Sequence, residues 1–320
     1  MRRIALLTSG GDAPGMNATI RAVVRYAINN ARLDVFGVER GYEGLIKGSL
    51  QRMDSRSVSG IINRGGTILK TARCPEFATE KGLETAHEVL KAFGIDGLIV
   101  IGGDGSLRGM GELYAKYKFP CIGIPGTIDN DLGYTDYTLG FDTTVNTVLS
   151  AIGNIRDTMT SHDRACILEV MGRECGDIAL YAGLAGGAET MLIPEMPIDI
   201  DKVVAQIKRN IIKGKASDII VLAEGVSGCE ELKQQIKEKF NMTIRTVKLG
   251  YIQRGGIPSA QDRIFGARCA VRAVDLLTEG KHGRAVGLKD NKIIDVDIDK
   301  ALKAKREVDK EIYRIAGLLS

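Results

Sequence analysis

Three short stretches concentrate the groups in this chain that could do chemistry. The first is Thr127-Ile128-Asp129-Asn130-Asp131, directly after the apolar run Cys121–Pro125. Two carboxylates two residues apart can divide the labour: one accepts a proton from an attacking hydroxyl, while the other orients that hydroxyl or helps hold a cation. The second stretch is Gly102-Gly103-Asp104-Gly105-Ser106 after the apolar run 97–101. Its glycines let backbone approach a polyphosphate, and Asp104 can hold Mg²⁺ directly or through the ion's water shell. The third is Ser9-Gly10-Gly11-Asp12-Ala13-Pro14-Gly15-Met16-Asn17. Gly10 and Gly15 have the separation of a phosphate-binding loop, but Met16-Asn17 stands where that motif has Lys and Ser or Thr, so positive charge must come from elsewhere. Each stretch has a plainer use as well, since Asp and Gly also make Asx turns, helix entries and caps.

All three stretches follow runs that read as buried strands, at 3–8, 97–101 and 121–125, and the first two lead into helices. In open α/β sheets, ligands sit outside the carboxyl ends of the strands. The helix after the first loop buries Ile20, Val23, Val24, Ala27 and Ile28 on one stripe, leaving Arg21 and Arg25 together on another face. A strand is expected near 35–38, a turn at 41–44, and a loop at 71–75 whose Arg73 could reach a phosphate. The glycine spacing at 102–106 is not the dinucleotide fingerprint, because Arg108 occupies the place of the third glycine.

Beyond Gly140, Asp142 is expected to cap a helix that carries Val145, Val148, Leu149, Ile152 and Ile155 and ends near Ser161. Strands at 165–170, 218–223 and 246–252 then run into Met171-Gly172-Arg173, Glu224-Gly225 and Gln253-Arg254-Gly255-Gly256. A further acid-capped helix carries Val203, Val204 and Ile207. A long helix spans 258–280, a hairpin turns at Asp290-Asn291, and a last helix carries Ile312 and Ile315. Alternating β and α elements with short links predict two doubly wound α/β lobes with mostly parallel sheets and intertwined connections.

The bulk composition excludes several classes. Forty-four basic residues against forty acidic ones give +4, with no Trp and 5% aromatics, which argues against a nucleic-acid footprint. Six cysteines without a CxxC pair fit reduced, buried thiols better than disulfides or zinc. The three histidines, His87, His162 and His282, lie far apart and read as surface or capping residues. The apolar run after Met1-Arg2-Arg3 is too short for an export signal or a membrane span, so a cytoplasmic location is expected.

Taken in order, Thr8–Asn17, Gly102–Ser106, Pro125–Asp131, Met171–Arg173, Ala223–Gly225 and Gln253–Gly256 resemble the bacterial ATP-dependent 6-phosphofructokinase family over essentially the whole length. The resemblance implies transfer of the ATP γ-phosphoryl to the 1-hydroxyl of fructose 6-phosphate. It implies Asp129 as general base, with Thr127, Asp131, Arg173, Gly11 and Arg73 serving the reacting groups. Gly11, Arg73, Cys74, Gly103, Asp104, Gly105 and Ser106 would hold the nucleotide, with Asp104 serving Mg²⁺. Thr127, Ile128, Asp129, Met171, Gly172, Arg173, Glu224, Tyr251 and Arg254 would hold the sugar phosphate, joined by Arg164 and Arg245 from a neighbouring subunit of a homotetramer.

The implied effector site, for ADP or phosphoenolpyruvate, takes Arg21, Arg25, Arg156, Gly187, Glu189, Lys213 and Lys215. The implied lobes are 1–140 plus 254–306 for the nucleotide and 141–253 plus 307–320 for the sugar phosphate. Diphosphate-dependent relatives usually carry Asp and Lys where this chain has Gly105 and Gly126, so ATP is the expected donor. Tyr251 replaces a usual His, Arg56 a frequent aromatic residue, and Ala216-Ser217 a Lys-His pair. NAD and lipid kinases share the Gly-Gly-Asp-Gly-Ser motif but not the Pro125–Asp131 stretch. A catalytically idle regulatory subunit would be expected to have lost Asp129 or Asp104.

Overall fold

A computed structural model describes residues 1–161 and 164–319. The expectations for His162 and for the side chain of Arg164 lie outside the described residues. In chain order the first elements are β1 (Arg3–Thr8), α1 (Met16–Asn29), β2 (Asp34–Val38), α2 (Gly41–Ile46), β3 (Leu50–Met53) and α3 (Glu80–Ala92). Next come β4 (Gly97–Gly102), α4 (Asp104–Tyr117), β5 (Cys121–Pro125), α5 (Phe141–Thr160), β6 (Arg164–Val170), α6 (Asp177–Ala185) and β7 (Thr190–Leu192). They are followed by α7 (Ile200–Ile212), β8 (Ser217–Ala223), α8 (Cys229–Lys239), β9 (Ile244–Lys248) and α9 (Ala260–Thr278). The chain finishes with β10 (Arg284–Lys289), β11 (Lys292–Asp297), α10 (Ile298–Lys303) and α11 (Lys310–Leu319).

Two compact units share the chain. One comprises Met1–Ile128, Leu132–Thr143 and Arg254–Arg306; the other comprises Asp129–Asp131, Thr144–Gln253 and Glu307–Ser320. The chain passes to the second unit at Asp129–Asp131 and again after Thr143, and the start of α5 is bound into the first unit. Asp262 of α9 accepts the N–H groups of Gly140 (2.6 Å) and Thr143 (2.9 Å). Asp262 thus caps the helix that Asp142 was expected to cap, and Asp142 lies inside its first turn.

The first unit is built on a seven-stranded sheet in the order β11-β10-β5-β4-β1-β2-β3. Strands β2, β1, β4, β5 and β10 run parallel, and the hairpin partner β11 and the edge strand β3 run antiparallel. Side chains alternate across the pleat: Ala5 and Leu7 join Leu98, Val100, Leu83, Leu107 and Met110 in one apolar core. The interleaved Ile4, Leu6, Ile99 and Ile101 are fully buried on the opposite face. Helices α1 and α9 approach closely. A Cβ on Gly266 would stand 2.2 Å from Thr19 Oγ1, and Tyr26 donates to Asp275 Oδ1 at 2.8 Å.

The second unit has a parallel four-stranded sheet in the order β7-β8-β6-β9. One face packs Ala165, Ile167, Ile220 and Leu222 against Val203, Val204 and Ile207 of α7 and Leu232 and Ile236 of α8. In both sheets the chain reverses its direction of travel, between β1 and β4 in the first and between β6 and β9 in the second. Such switch points leave a crevice at the carboxyl ends of the strands.

Some local expectations differ from what forms. Residues 41–44, expected as a turn, open α2, with Arg40 and Gly41 at φ 64° and 59° leading into it. The strand expected to reach residue 252 ends at Lys248, where Gly250 at φ 54° turns the chain into a 3-10 helix, Gly250–Arg254. His87 is half-buried and stacks on Tyr117 at 4.1 Å between ring centroids, rather than sitting as a surface or cap residue.

Candidate active site

In the first unit the three parallel strands β1, β4 and β5 end side by side, with Thr8 opposite Ile101 and Gly102 opposite Pro125. Backbone bonds knit the loops that follow: Ser9 N–H donates to the Ile101 carbonyl and Gly126 N–H to the Gly102 carbonyl, both at 3.0 Å. Close approach of the backbone requires glycine at 102. A Cβ on Gly102 would fall 2.6 Å from the Ser9 carbonyl and 2.5 Å from Ser106 Oγ. Gly10 has φ 83°, and a Cβ on it would lie 3.2 Å from the same hydroxyl. A Cβ on Gly103 would lie 3.3 Å from Thr127 Cβ, and one on Gly11 would lie 3.0 Å from Arg254 Nη1. Gly11, Gly103, Ser106, Thr127 and Arg254 therefore share one edge of the sheet. Gly105 stands apart from these contacts, exposed, with open space around its Cβ position.

Asp104 opens α4 and is half-buried, its carboxylate held by both Nε (2.6 Å) and Nη2 (3.0 Å) of Arg108 one turn on. A half-exposed carboxylate at a helix N-terminus is a hard oxygen donor of the kind Mg²⁺ takes alongside water and phosphate oxygens. No cluster of three or more His, Cys, Asp or Glu residues among the described residues could cage a metal by itself. Arg73 is exposed and Cys74 partly buried against the core. Their segment is set beside β1 by Thr8, whose hydroxyl meets Thr67 Oγ1 at 2.9 Å and the Lys70 carbonyl at 3.0 Å. Buried Asn17 shapes the same region: its amide donates to the Arg64 and Gly65 carbonyls (3.1 and 3.0 Å) and its Oδ1 accepts Ile68 N–H at 2.7 Å. The residue standing where a phosphate loop has Ser or Thr is thus a loop anchor, a role that local spacing does not reveal.

In the second unit β6 and β8 end together, with Val170 opposite Ala223. Asp129 is buried, and its Oδ2 lies 3.2 Å from Nε of Arg173, whose own side chain is 59% exposed. Arg173 has φ 54°, and its N–H donates to Glu224 Oε1 at 3.1 Å. Gly172, at φ 140°, leaves no room for a Cβ, which would sit 2.3 Å from the Cys175 carbonyl. Gln253, fully buried, accepts Met171 N–H (3.1 Å) and donates to the Gly250 carbonyl (3.1 Å), joining the loop after β6 to the 3-10 turn. Met171, Gly172, Arg173, Glu224 and Asp129 are thereby brought together. Asp131 is half-buried beside them in the chain, and Ile128 is buried in the first unit. Arg245 is exposed on β9, and Tyr251 is 81% exposed on the 3-10 turn.

The residues of the expected effector site divide between the units. Arg21 and Arg25 lie half-buried on α1 in the first. In the second, Arg156 contacts buried Glu189 at 3.1 Å, and Lys215 approaches the same oxygen at 3.8 Å. Arg156 also donates to the carbonyls of Gly186 (3.3 Å) and Gly187 (2.6 Å), while Lys213 is exposed at the end of α7. Ser217 lies 3.4 Å from Arg156, and buried Asp218 next to it is pushed above the usual carboxylate range by desolvation and then by Glu189.

The family profile described as Phosphofructokinase matches residues 3–277. A curated ATP-dependent 6-phosphofructokinase of Clostridium botulinum (strain Hall) is 58% identical over 320 residues, covering all of both chains. One of Clostridioides difficile (strain 630) is 56% identical with the same coverage. Among solved structures, phosphofructokinase from Saccharomyces cerevisiae superposes with a TM-score of 0.89 at 34% identity, over 100% of this chain and 48% of the longer yeast chain. No helix among the described residues is long and apolar enough to cross a membrane. With this fold, these loops and these relatives, the chain belongs to the phosphofructokinase family.

Proposed function

We propose that this chain is a cytoplasmic ATP-dependent 6-phosphofructokinase, converting ATP and fructose 6-phosphate to ADP and fructose 1,6-bisphosphate. The observation that carries the reading is the buried Asp129 carboxylate set on Arg173 at 3.2 Å. Backbone N–H groups at Gly11 and Gly103–Ser106, with Arg73 and Cys74, receive the triphosphate. Asp104 would hold Mg²⁺, which when bound neutralises charge on the transferring phosphates. Met171, Gly172, Arg173, Glu224, Tyr251 and Arg254 receive the sugar phosphate. Arg164 and Arg245 reach it from a neighbouring subunit of a homotetramer.

An Asp of ordinary pKa, about 3.9, cannot deprotonate a resting alcohol. It accepts the proton as the 1-oxygen bonds to the γ-phosphorus, the point at which the hydroxyl becomes acidic. The bond from that phosphorus to the bridging oxygen breaks, and ADP leaves. Arg73, Arg173 and backbone N–H groups meet the charge that spreads over the equatorial oxygens, while Thr127 and Asp131 orient the reacting groups. Gly105 leaves space for the α-phosphate and adenosine, which favours ATP over diphosphate as donor, whereas Gly126 is buried with its Cβ position packed against Ile101 and Met16. Arg21 and Arg25 in the first unit, and Arg156, Gly187, Glu189, Lys213 and Lys215 in the second, would each serve an anionic effector, ADP or phosphoenolpyruvate.

The test is product analysis by phosphorus NMR with fructose 6-phosphate and either ATP or diphosphate. Fructose 1,6-bisphosphate formed from ATP, and at least about 100-fold more slowly from diphosphate, is expected for a phosphoryl site shaped to one donor. Turnover with diphosphate alone, or phosphorylation of NAD in place of the sugar, would refute the reading.

A further inference from the structure

Asp129 and Asn130, adjacent in sequence, are both gripped by the loop from Gly172 to Asp177. Arg173 takes the Asp129 carboxylate at 3.2 Å. Asn130, 1% exposed, donates from Nδ2 to Oδ2 of Asp177 at 2.8 Å, and its carbonyl accepts Cys175 Sγ at 3.8 Å. Asn130 has φ 53°, the left-handed conformation that Asn and Asp tolerate best among residues with a Cβ. Asp177 is itself buried, in the first turn of α6, where backbone N–H groups favour a carboxylate. The gripping loop is held in turn: Cys175 N–H donates to the Gly172 carbonyl at 2.9 Å, and Gly176 N–H to Glu195 Oε1 at 2.8 Å. A left-handed residue between two carboxylates sets the direction in which each points, so whatever fixes residue 130 aims residues 129 and 131.

We infer that Asp177 is a positioning residue for phosphoryl transfer, acting through Asn130 to aim the Asp129 carboxylate. This rests on the proposed role of Asp129 as base. The hydrogen bond can be reversed without changing volume or the left-handed backbone, because Asp and Asn exchange donor for acceptor. N130D places one carboxylate against another. D177N leaves an amide whose carbonyl still accepts from Asn130. The double variant N130D/D177N restores one donor and one acceptor with the polarity inverted.

Steady-state kinetics on the four proteins, with thermal midpoints, test the inference as a double-mutant cycle. N130D is expected to lower kcat about 10- to 100-fold, the scale of a misaligned reacting group, with KM for ATP changed less than about twofold. D177N alone should stay within about fivefold of wild type, and the double variant should return to within about fivefold. A double variant as slow as N130D overturns the inference even if its thermal midpoint recovers. So does an N130D protein of wild-type kcat, or a loss shared equally by KM for ATP. Asp129→Ser in the same series separates the two readings. Retained turnover in Asp129→Ser defeats the base assignment, whereas a dead Asp129→Ser with an uncoupled pair defeats only the role of Asp177.

Discussion

Replacing Gly105 by Asp should separate nucleotide use from stability, moving the two in opposite directions. Gly105 is the second residue of α4, exposed, with nothing within 4 Å of its Cβ position. Removing a helical glycine is worth up to about 1 kcal/mol, and an acidic side chain in the first turn adds about 0.3–1 kcal/mol. The neighbouring Asp104 carboxylate, already held by Arg108, offsets part of that gain. The thermal midpoint should therefore hold or rise by up to about 3 °C. A carboxylate about 5 Å from a phosphate oxygen on the same loop costs about 1–3 kcal/mol at effective dielectrics between bulk water and a protein surface. That corresponds to a loss of about 5- to 150-fold in kcat/KM for ATP. A coupled assay over a range of ATP concentrations, with differential scanning fluorimetry, reads both quantities. An ATP kcat/KM within twofold of wild type would refute the placement of the triphosphate on this loop. A midpoint several degrees lower would refute the reading of open space.

Asp262→Ala should destabilise the protein by about 3–5 kcal/mol in denaturant unfolding, because it strands the N–H groups of Gly140 and Thr143 and the Tyr137 hydroxyl that donates at 2.7 Å. Glu169→Gln tests a pH linkage. Burial opposes ionisation of Glu169, but Lys248 and the Cys229 N–H hold its carboxyl below its ordinary 4.5. A lowered folded pKa means stability present above the ordinary value and lost as pH falls through the folded one. The wild-type advantage over Glu169→Gln, about 1 kcal/mol or less because Lys248 is largely exposed, should be full at pH 7, start to fall as pH nears 4.5 and be lost once pH passes below the folded value. Burial lifts the Cys121 thiol to about 12 and the Cys166 thiol to about 11, while Cys74 is partly exposed. Alkylation of the native protein at pH 8 should label Cys74 first and more slowly with ATP present; rapid labelling of Cys121 would contradict the packing.

The loops at the strand ends were more legible in the sequence than the frame around them. Glycine loops placed directly after apolar runs announce strand ends, and that pattern located residues 10–15, 102–106 and 125–131. Their lateral order was not legible, because a β1-β4-β5 arrangement is set by crossovers that leave no local trace. Helix α6 escaped because Asp177–Ala185 is nearly uniformly apolar and shows no stripe. Strands β3 and β7, of four and three residues, are too short to show a period. The long-range polar anchors were also hidden. Gln253, Asn17, Asp177 and Asp262 each serve partners 47 or more residues away, so nothing in their neighbourhoods distinguishes them from surface polar residues.

The most direct test of the account is the turnover of Asp129→Ser under saturating ATP and fructose 6-phosphate, with binding of both substrates measured separately by calorimetry. Loss of the proton acceptor should lower kcat by about 10²- to 10⁴-fold while ATP binds with wild-type affinity. A variant that turns over at close to the wild-type rate would contradict the assignment of Asp129 as the group that takes the sugar's proton.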